Sequence, residues 1–230
     1  MADPRHYSGS VEEHRSRVLA VDDDPNTLRA YRGLFATQQS FDLVGEVRDG
    51  AQVEARYEAL LPDVVLMDLQ MPFNGVDATR AVCARWADAR VVAMTTLTSH
   101  HWVVAALRAG AAGYLVKGLT SGQFFAGLRQ ALAGEMPLSG SVRHQLVHAL
   151  VADEPVRENP LTPRENELVN WLARGLTNRQ IAMRMNVCES SVKQYFARAG
   201  AKLHATSRTQ ILVRAIQCGA VDPMLIQNHR

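Results

Sequence analysis

The polar and apolar positions of the chain fall into two regimes. Through the first part, short unbroken apolar runs alternate with stretches of helical period. Val18–Val21, Phe41–Val47, Val64–Met67, Val91–Met94 and Gly113–Val116 read as strands. A run such as Val64-Val65-Leu66-Met67, apolar at every position, suits a strand buried on both faces of a parallel sheet. Between the runs, Leu28, Tyr31, Leu34 and Phe35 share one helical face behind Pro25. Val53, Tyr57 and Leu60 share another within Ala51–Leu61. Further helices are predicted from Gly75 to about Trp86, over Trp102–Ala109, and over Thr120–Ala133, where Phe124, Phe125, Leu128 and Leu132 face one way. Right-handed crossovers put all the strand ends on one edge. The order predicts an α/β flavodoxin-like domain with a five-stranded parallel sheet, 2-1-3-4-5.

From residue 159 the alternation stops and helix punctuation takes over. Thr162-Pro163-Arg164-Glu165 is a capping box with Pro at the first helical position. Leu168, Val169, Trp171 and Leu172 follow as an apolar stripe, and Gly175 ends the helix. A second box, Thr177-Asn178-Arg179-Gln180, opens a short helix with Ile181, Ala182 and Met185 inside. Asn186-Val187 makes a turn, and a third helix runs from about Glu189 to Leu203. A fourth, Ser207–Cys218, carries Ile211, Leu212, Ala215 and Ile216. A short helix, a tight turn and a longer basic helix predict a helix-turn-helix inside an all-α four-helix domain. Val142, Leu146, Val147, Leu150 and Val151 have helical spacing and predict a linker helix, ended by Asp153-Glu154-Pro155. The expected organisation is a disordered polar tail over 1–16, an α/β domain over 17–137, a linker over 138–158 and the helical domain over 159–230.

Charge sharpens this division. The chain of 230 residues carries a formal net charge of +2. From Asn159 onward there are ten Lys and Arg against four Asp and Glu, which leaves the first 158 residues at −4. A basic domain behind an acidic one predicts an anionic partner for the second, most simply double-stranded DNA. Cys83, Cys188 and Cys218 have no metal-ligand spacing. No apolar run reaches the length of a membrane span, so the expectation is a cytoplasmic chain with no membrane partner.

The strand ends hold the candidate chemistry. The first run ends in Asp22-Asp23, the third in Asp68, the fourth in Thr95 and the fifth in Lys117. Clustered carboxylates repel unless a cation sits among them, and hard oxygen donors suit Mg2+. A hydroxyl and an ammonium beside such a group complement the oxygens of a phosphoryl group. Together they read as a carboxylate, Asp68, that accepts a phosphoryl group.

Residues of about 17–137 resemble a response-regulator receiver domain. Asp22 and Asp23 match its acidic pair, Asp68 its phosphoacceptor, Thr95 its switch hydroxyl, Tyr114 its switch aromatic and Lys117 its lysine. The loop after Pro72 is one residue shorter than the family pattern. Residues of about 159–222 resemble the LuxR-type DNA-binding domain through Leu161-Thr162-Pro163-Arg164-Glu165, Gly175-Leu176-Thr177-Asn178, Ile181-Ala182, Ser191-Val192-Lys193, Lys202-Leu203 and Arg208-Thr209. Nearly the whole chain thus resembles a response regulator of the NarL/FixJ group.

The resemblance implies a transcriptional regulator, not an enzyme, phosphorylated on Asp68 by a sensor histidine kinase. It implies Mg2+ held by Asp23, Asp68 and the backbone carbonyl of Gln70, with Asp22 in support. Lys117 and Thr95 would bind the phosphoryl oxygens, and Thr95 and Tyr114 would carry the switch. DNA contacts would come from Ser190, Ser191, Val192, Lys193, Gln194, Arg198 and Lys202, with Val192 and Lys193 in the major groove. Activation would produce a homodimer, with Ile211, Ala215 and Ile216 as the dimer contact of the DNA-binding domain. Two positions depart from the family: Cys188 replaces the usual Ser cap, and Tyr195 a common His. Two other readings stay open at this stage. One is a DNA-binding regulator that works without phosphorylation. The other is an aspartyl-phosphate phosphohydrolase, which would need an acid where Gln70 stands.

Overall fold

The computed structural model describes residues 15–72, 75–96, 100–137 and 159–221. The expected linker helix over 142–151, and the expected tail before Arg15, lie outside the described residues.

The first domain alternates strand and helix as its pattern predicts. The elements are β1 Ser16–Val21, α1 Pro25–Ala36, β2 Phe41–Val47, α2 Val53–Leu60, β3 Val64–Asp68, α3 Gly75–Arg85, β4 Val91–Thr95, α4 His100–Ala109, β5 Gly113–Val116 and α5 Ser121–Leu132. All strands pair in parallel, in the order β2-β1-β3-β4-β5. Boundaries shift by one or two residues at several elements, including the start of α4 at His100, and two of the shifts have visible causes. β1 starts at Ser16, inside the expected tail, because Ser16 N–H donates to Ser40 O at 2.9 Å and the Arg15 guanidinium donates to the Gln38 and Phe41 carbonyls. α2 is preceded by a tighter turn over Gly50–Gln52, where the Asp49 side chain accepts the Ala51 N–H at 3.0 Å.

Successive strand residues point to opposite faces, so the sheet separates two cores. On one face Val18, Ala20, Val64, Leu66, Val92 and Met94 pack with α1 and α5. That side is aromatic: Phe35 meets Phe41, Phe124 and Phe125 edge-on, with centroids 5.4–6.4 Å apart, and Tyr31 stacks on Phe124. On the other face Leu19, Val21, Val65, Met67, Val91 and Ala93 pack with α2, α3 and α4. This second core does not stop at the domain boundary, but continues into Val169, Leu172, Leu203, Leu212 and Ala215.

Those residues come from three of the four helices described in the second domain, α6 Pro163–Ala173, α7 Asn178–Met185, α8 Glu189–Leu203 and α9 Arg208–Gln217, all but α7 contributing. Both predicted capping boxes form. Glu165 Oε2 accepts the Thr162 N–H at 2.8 Å, and Gln180 Oε1 accepts the Thr177 N–H at 2.8 Å. Asn186, at φ 53°, closes α7 in the left-handed region that Asn tolerates. α7 and α8 form the helix-turn-helix.

The helical domain docks on the first through α9 and α4. Thr209 Oγ1 donates to Ala112 O at 3.2 Å, and Gln210 Nε2 donates to Arg108 O at 3.3 Å. Gly110, between α4 and β5, makes the approach possible. It sits at φ +107°, and a Cβ there would lie 2.9 Å from Cys83 Cβ and 3.2 Å from Gln210 Nε2.

Candidate functional site: an acidic strand-end pocket and a basic helix

Four strand ends converge. Asp22 follows β1, Asp68 ends β3, Thr95 ends β4 and Lys117 follows β5. Ligand oxygens of Asp22, Asp23 and Asp68 lie within 4.8 Å of one another. Asp22 and Asp68 are buried, and Asp23 is half-buried. Lys117 Nζ sits 2.7 Å from Asp22 Oδ2 and 3.1 Å from Asp68 Oδ2. Burial pushes the Asp22 carboxyl above its ordinary range, against the pull of Lys117 and reinforced by the charge on Asp68. For Lys117, burial acts downward, but the two carboxylates outweigh it and hold the ammonium above its ordinary value. A pocket of three crowded carboxylate oxygen donors fits a hard divalent cation such as Mg2+.

The surrounding backbone aims these groups. Asp22 Oδ1 accepts the Asp24 N–H at 3.0 Å. Asp24 itself caps α1, accepting the Asn26 N–H at 2.9 Å and the Thr27 hydroxyl at 3.0 Å. Asp68 Oδ1 accepts the Gln70 N–H at 3.2 Å. Thr95 is fully buried and shares a side-chain hydrogen bond with Tyr114, which is also fully buried. Burial pushes the Tyr114 hydroxyl up to about 12, with the Thr95 hydrogen bond acting against it. One feature was not foreseen in the sequence: Thr96 Oγ1 donates to Gln70 Oε1 at 3.2 Å, linking the ends of β3 and β4 outside Asp68.

On the basic domain, α8 shows which of its expected DNA contacts can face a ligand. Ser190, Lys193, Gln194 and Arg198 are exposed, and Ser191 is half-buried. Val192 is different. It is fully buried against Leu168, Ile181, Ala182 and Met185, so its placement in the major groove is corrected to a core role. Val192, Phe196, Ala199 and Leu203 follow helical spacing and form the inward stripe of α8. Lys202, expected among the DNA contacts, pairs with Glu165 Oε2 at 2.7 Å. Burial acts upward on Glu165, but Lys202 and the Thr162 cap outweigh it and lower its pKa. The Arg198 guanidinium lies 4.7 Å over the Tyr195 ring. Ile211, Ala215 and Ile216, expected as a dimer contact, are covered in this arrangement. They are 5%, 0% and 7% exposed, enclosed by the shared core on which α9 and α4 meet.

Cys188 sits at the N-cap of α8 but makes no side-chain cap bond to the backbone. Its Sγ contacts the Ser190 and Ser191 hydroxyls at 3.0 and 3.1 Å, and these contacts hold the thiol at about 7. Restoring a hydroxyl cap with Cys188→Ser should stabilise the chain by about 0.5–1 kcal/mol. Urea unfolding followed by circular dichroism reads this; a lower midpoint would show that the thiol already does the work of a cap.

The sheet order, the strand-end pocket and the docked helix-turn-helix define a two-domain signalling regulator. The model of the response regulator receiver domain matches residues 18–129, and that of bacterial regulatory proteins of the luxR family matches residues 159–215. The nitrate/nitrite response regulator protein NarL of Escherichia coli K12 is 34% identical over 200 residues, covering 85% of this chain and 93% of NarL. The DNA-binding transcriptional activator DevR/DosR of Mycobacterium tuberculosis is also 34% identical, covering 87% of this chain and 94% of its own. The solved response regulator ChrA, of a heme-sensing two-component system, is 28% identical with a TM-score of 0.51, covering 90% of this chain and 98% of its own. The chain therefore belongs to the NarL/FixJ-type response regulators, a family of DNA-binding transcriptional regulators and not of enzymes. That membership removes the phosphohydrolase reading, and among the described residues no helix is long and apolar enough to cross a membrane.

Proposed function

We propose that the protein is a phosphorylation-gated transcription factor in which Asp68 accepts a phosphoryl group from a sensor histidine kinase. The observation that carries this reading is the convergence of Asp22, Asp23 and Asp68 with Lys117 and Thr95. Mg2+ held by Asp23, Asp68 and the Gln70 carbonyl, with Asp22 in support, would neutralise the charge that develops on the transferring group. A carboxylate oxygen of Asp68 attacks phosphorus as the P–N bond to the kinase's phosphohistidine breaks and the imidazole leaves, and Lys117 then exchanges part of its pairing with Asp68 for a phosphoryl oxygen. Thr95 turns its hydroxyl to a second phosphoryl oxygen, and Tyr114, hydrogen-bonded to it, follows. The signal reaches β5 and α4, the surface that α9 occupies.

In the docked arrangement the recognition helix is not free. Lys193 lines an interdomain cleft together with Arg90, Ala133 and Gly134 of the receiver. Release of α9 from α4 would free the Lys193 side of the recognition helix from the facing receiver, leaving Lys193 with the already exposed Gln194 and Arg198 open to DNA, and would uncover Ile211 and Ile216 for pairing with a second copy. The dimer contact anticipated from the family is thus a property of the released state. A dimer would read half-sites about one helical turn apart.

Sedimentation velocity with and without Mg2+ and beryllofluoride, beside DNA binding at fixed salt, tests the reading. A monomer-to-dimer shift with tighter DNA binding is expected. An unchanged oligomer with unchanged DNA affinity would favour a regulator that works without phosphorylation.

The metal makes its own prediction. Mg2+ at about 100 times its Kd should add about 2.7 kcal/mol to unfolding stability by mass action. Asp23→Asn should remove most of that gain at little cost in Mg2+-free buffer, where a negative charge leaves a crowded acidic pocket. Urea midpoints with and without Mg2+ measure both; an equal Mg2+ gain in the variant would take Asp23 out of the ligand set.

A further inference from the structure

The docked domains enclose more than a contact. Between them lies a cleft of about 500 Å³, with Arg90 on the receiver side and Lys193, Thr206, Ser207 and Arg208 on the other. Among the described residues, no Asp or Glu lines it. The N-terminus of α9, capped by Ser207, opens at the same place and adds the positive end of a helix dipole.

Arg208 is the most constrained of the three cations. Its Nη atoms donate to Asn178 Oδ1 and, at 2.7 Å, to Leu176 O, and its guanidinium lies 4.3 Å over the Phe196 ring. Its Nε is buried with no hydrogen-bond partner. Burial pushes this guanidinium down to about 10, the mark of a desolvated cation with little compensating charge. Glu135 pulls the other way: with Arg208 it borders a second cavity of about 40 Å³, and burial pushes its own carboxyl up.

We propose that this interdomain cleft binds a small phosphorylated anion that bridges Arg90, Lys193 and Arg208 and so clamps the recognition helix onto the receiver. A phosphoryl group brings both the missing negative charge and several acceptor oxygens for forked guanidinium donors. The cleft exists only while the domains are docked, so the anion binds that state alone and opposes release. Lys193 ties the site to the output, because one side chain cannot serve the anion and the DNA together. The site is separate from Asp68, and the inference rests on the docked arrangement rather than on phosphorylation.

The test uses the full-length, unphosphorylated chain without Mg2+, at constant ionic strength. Calorimetric titrations with inorganic pyrophosphate and with ADP distinguish an inorganic ligand from a nucleotide: tighter ADP binding assigns a nucleotide, and tighter pyrophosphate binding an inorganic anion. Arg90→Gln should weaken binding at least about 10-fold, which is about 1.4 kcal/mol, whereas Arg90→Lys should retain most of it. Saturating anion should lower DNA affinity several-fold in the unaltered chain but not in Arg90→Gln. Arg90 lies on the receiver and not on the recognition helix, so binding to the DNA surface alone would not respond to it. Equal affinity in Arg90→Gln, or no binding of either anion at millimolar concentration, would overturn the proposal. A normal beryllofluoride response alongside such a result would leave the phosphorylation switch standing.

Discussion

Replacing Asp68 with Asn leaves the fold intact and abolishes the gain in DNA affinity that Mg2+ and beryllofluoride give the unaltered chain. Asn keeps an oxygen able to accept the Gln70 N–H, now 3.2 Å from Asp68 Oδ1. It removes the oxygen charge that Lys117 meets at 3.1 Å, but Lys117 retains Asp22 at 2.7 Å. Loss of one of three crowded carboxylates also relieves repulsion, so stability should hold or rise slightly. The phosphoacceptor and one metal ligand are lost at the same time. Allosteric coupling between two sites is typically 1–3 kcal/mol, about 5–150-fold in affinity, and that is the gain expected in the unaltered chain and missing from the variant. Fluorescence anisotropy of a labelled operator at fixed salt measures it, with acetyl phosphate as a second activator. Full activation of Asp68→Asn would remove Asp68 from the switch.

The second large effect is expected at Gly75, the first residue of α3. A Cβ there would lie 2.0 Å from the backbone carbonyl oxygen of Asp68 and 3.0 Å from Leu69 Cα. Both neighbours are backbone, so no rotamer change relieves the contact. The junction of β3 and α3 would have to shift, and Asp68 with it. Overpacking typically costs 1–3 kcal/mol, and a clash this close to backbone should cost about 3 kcal/mol or more. Gly75→Ala is therefore expected to lower the urea midpoint sharply and to blunt the beryllofluoride response of the molecules that remain folded. Gly33→Ala provides the contrast, because nothing lies within 4 Å of a Cβ at that position in α1. It should stabilise by up to about 1 kcal/mol through helix propensity. If Gly75→Ala is as stable as the unaltered chain, α3 sits farther from β3 than described.

Much of the receiver was legible because burial on both faces leaves a plain mark. Val64 to Met67 and Val91 to Met94 have no polar interruption, so strand, position and functional edge followed together. The caps of α6 and α7 were equally plain, since Thr162 with Glu165 and Thr177 with Gln180 each satisfy two orphan donors locally. Val192 was misplaced for a different reason. Family resemblance assigns a helix to DNA, but only helical phase assigns a face, and Val192 shares its phase with Phe196, Ala199 and Leu203. The spacing was present in the sequence and had the deciding information. For α9 it was not. Ile211, Leu212, Val213, Ala215 and Ile216 surround much of the helix with apolar surface, which says that it is covered but not by what. A second copy and the receiver's own α4 satisfy that pattern equally well. The link from Thr96 to Gln70 was hidden because it joins two polar loop residues 26 positions apart.

The sheet's two cores divide the molecule into parts that should report differently on its state. The aromatic core under α1 and α5 draws only on receiver residues, whereas the core under α2, α3 and α4 continues into α6, α8 and α9. Amide hydrogen exchange should therefore separate them, because protection falls first where a cooperative unit loses its packing partner. On activation, the amides of α4 and α9 should exchange faster while those of α1 keep their rates. The same partition bears on mutational tolerance. Substitutions among Tyr31, Phe35, Phe41 and Phe124 should change how much folded protein a cell holds, and substitutions along α4 and α9 should change how often that protein answers its signal.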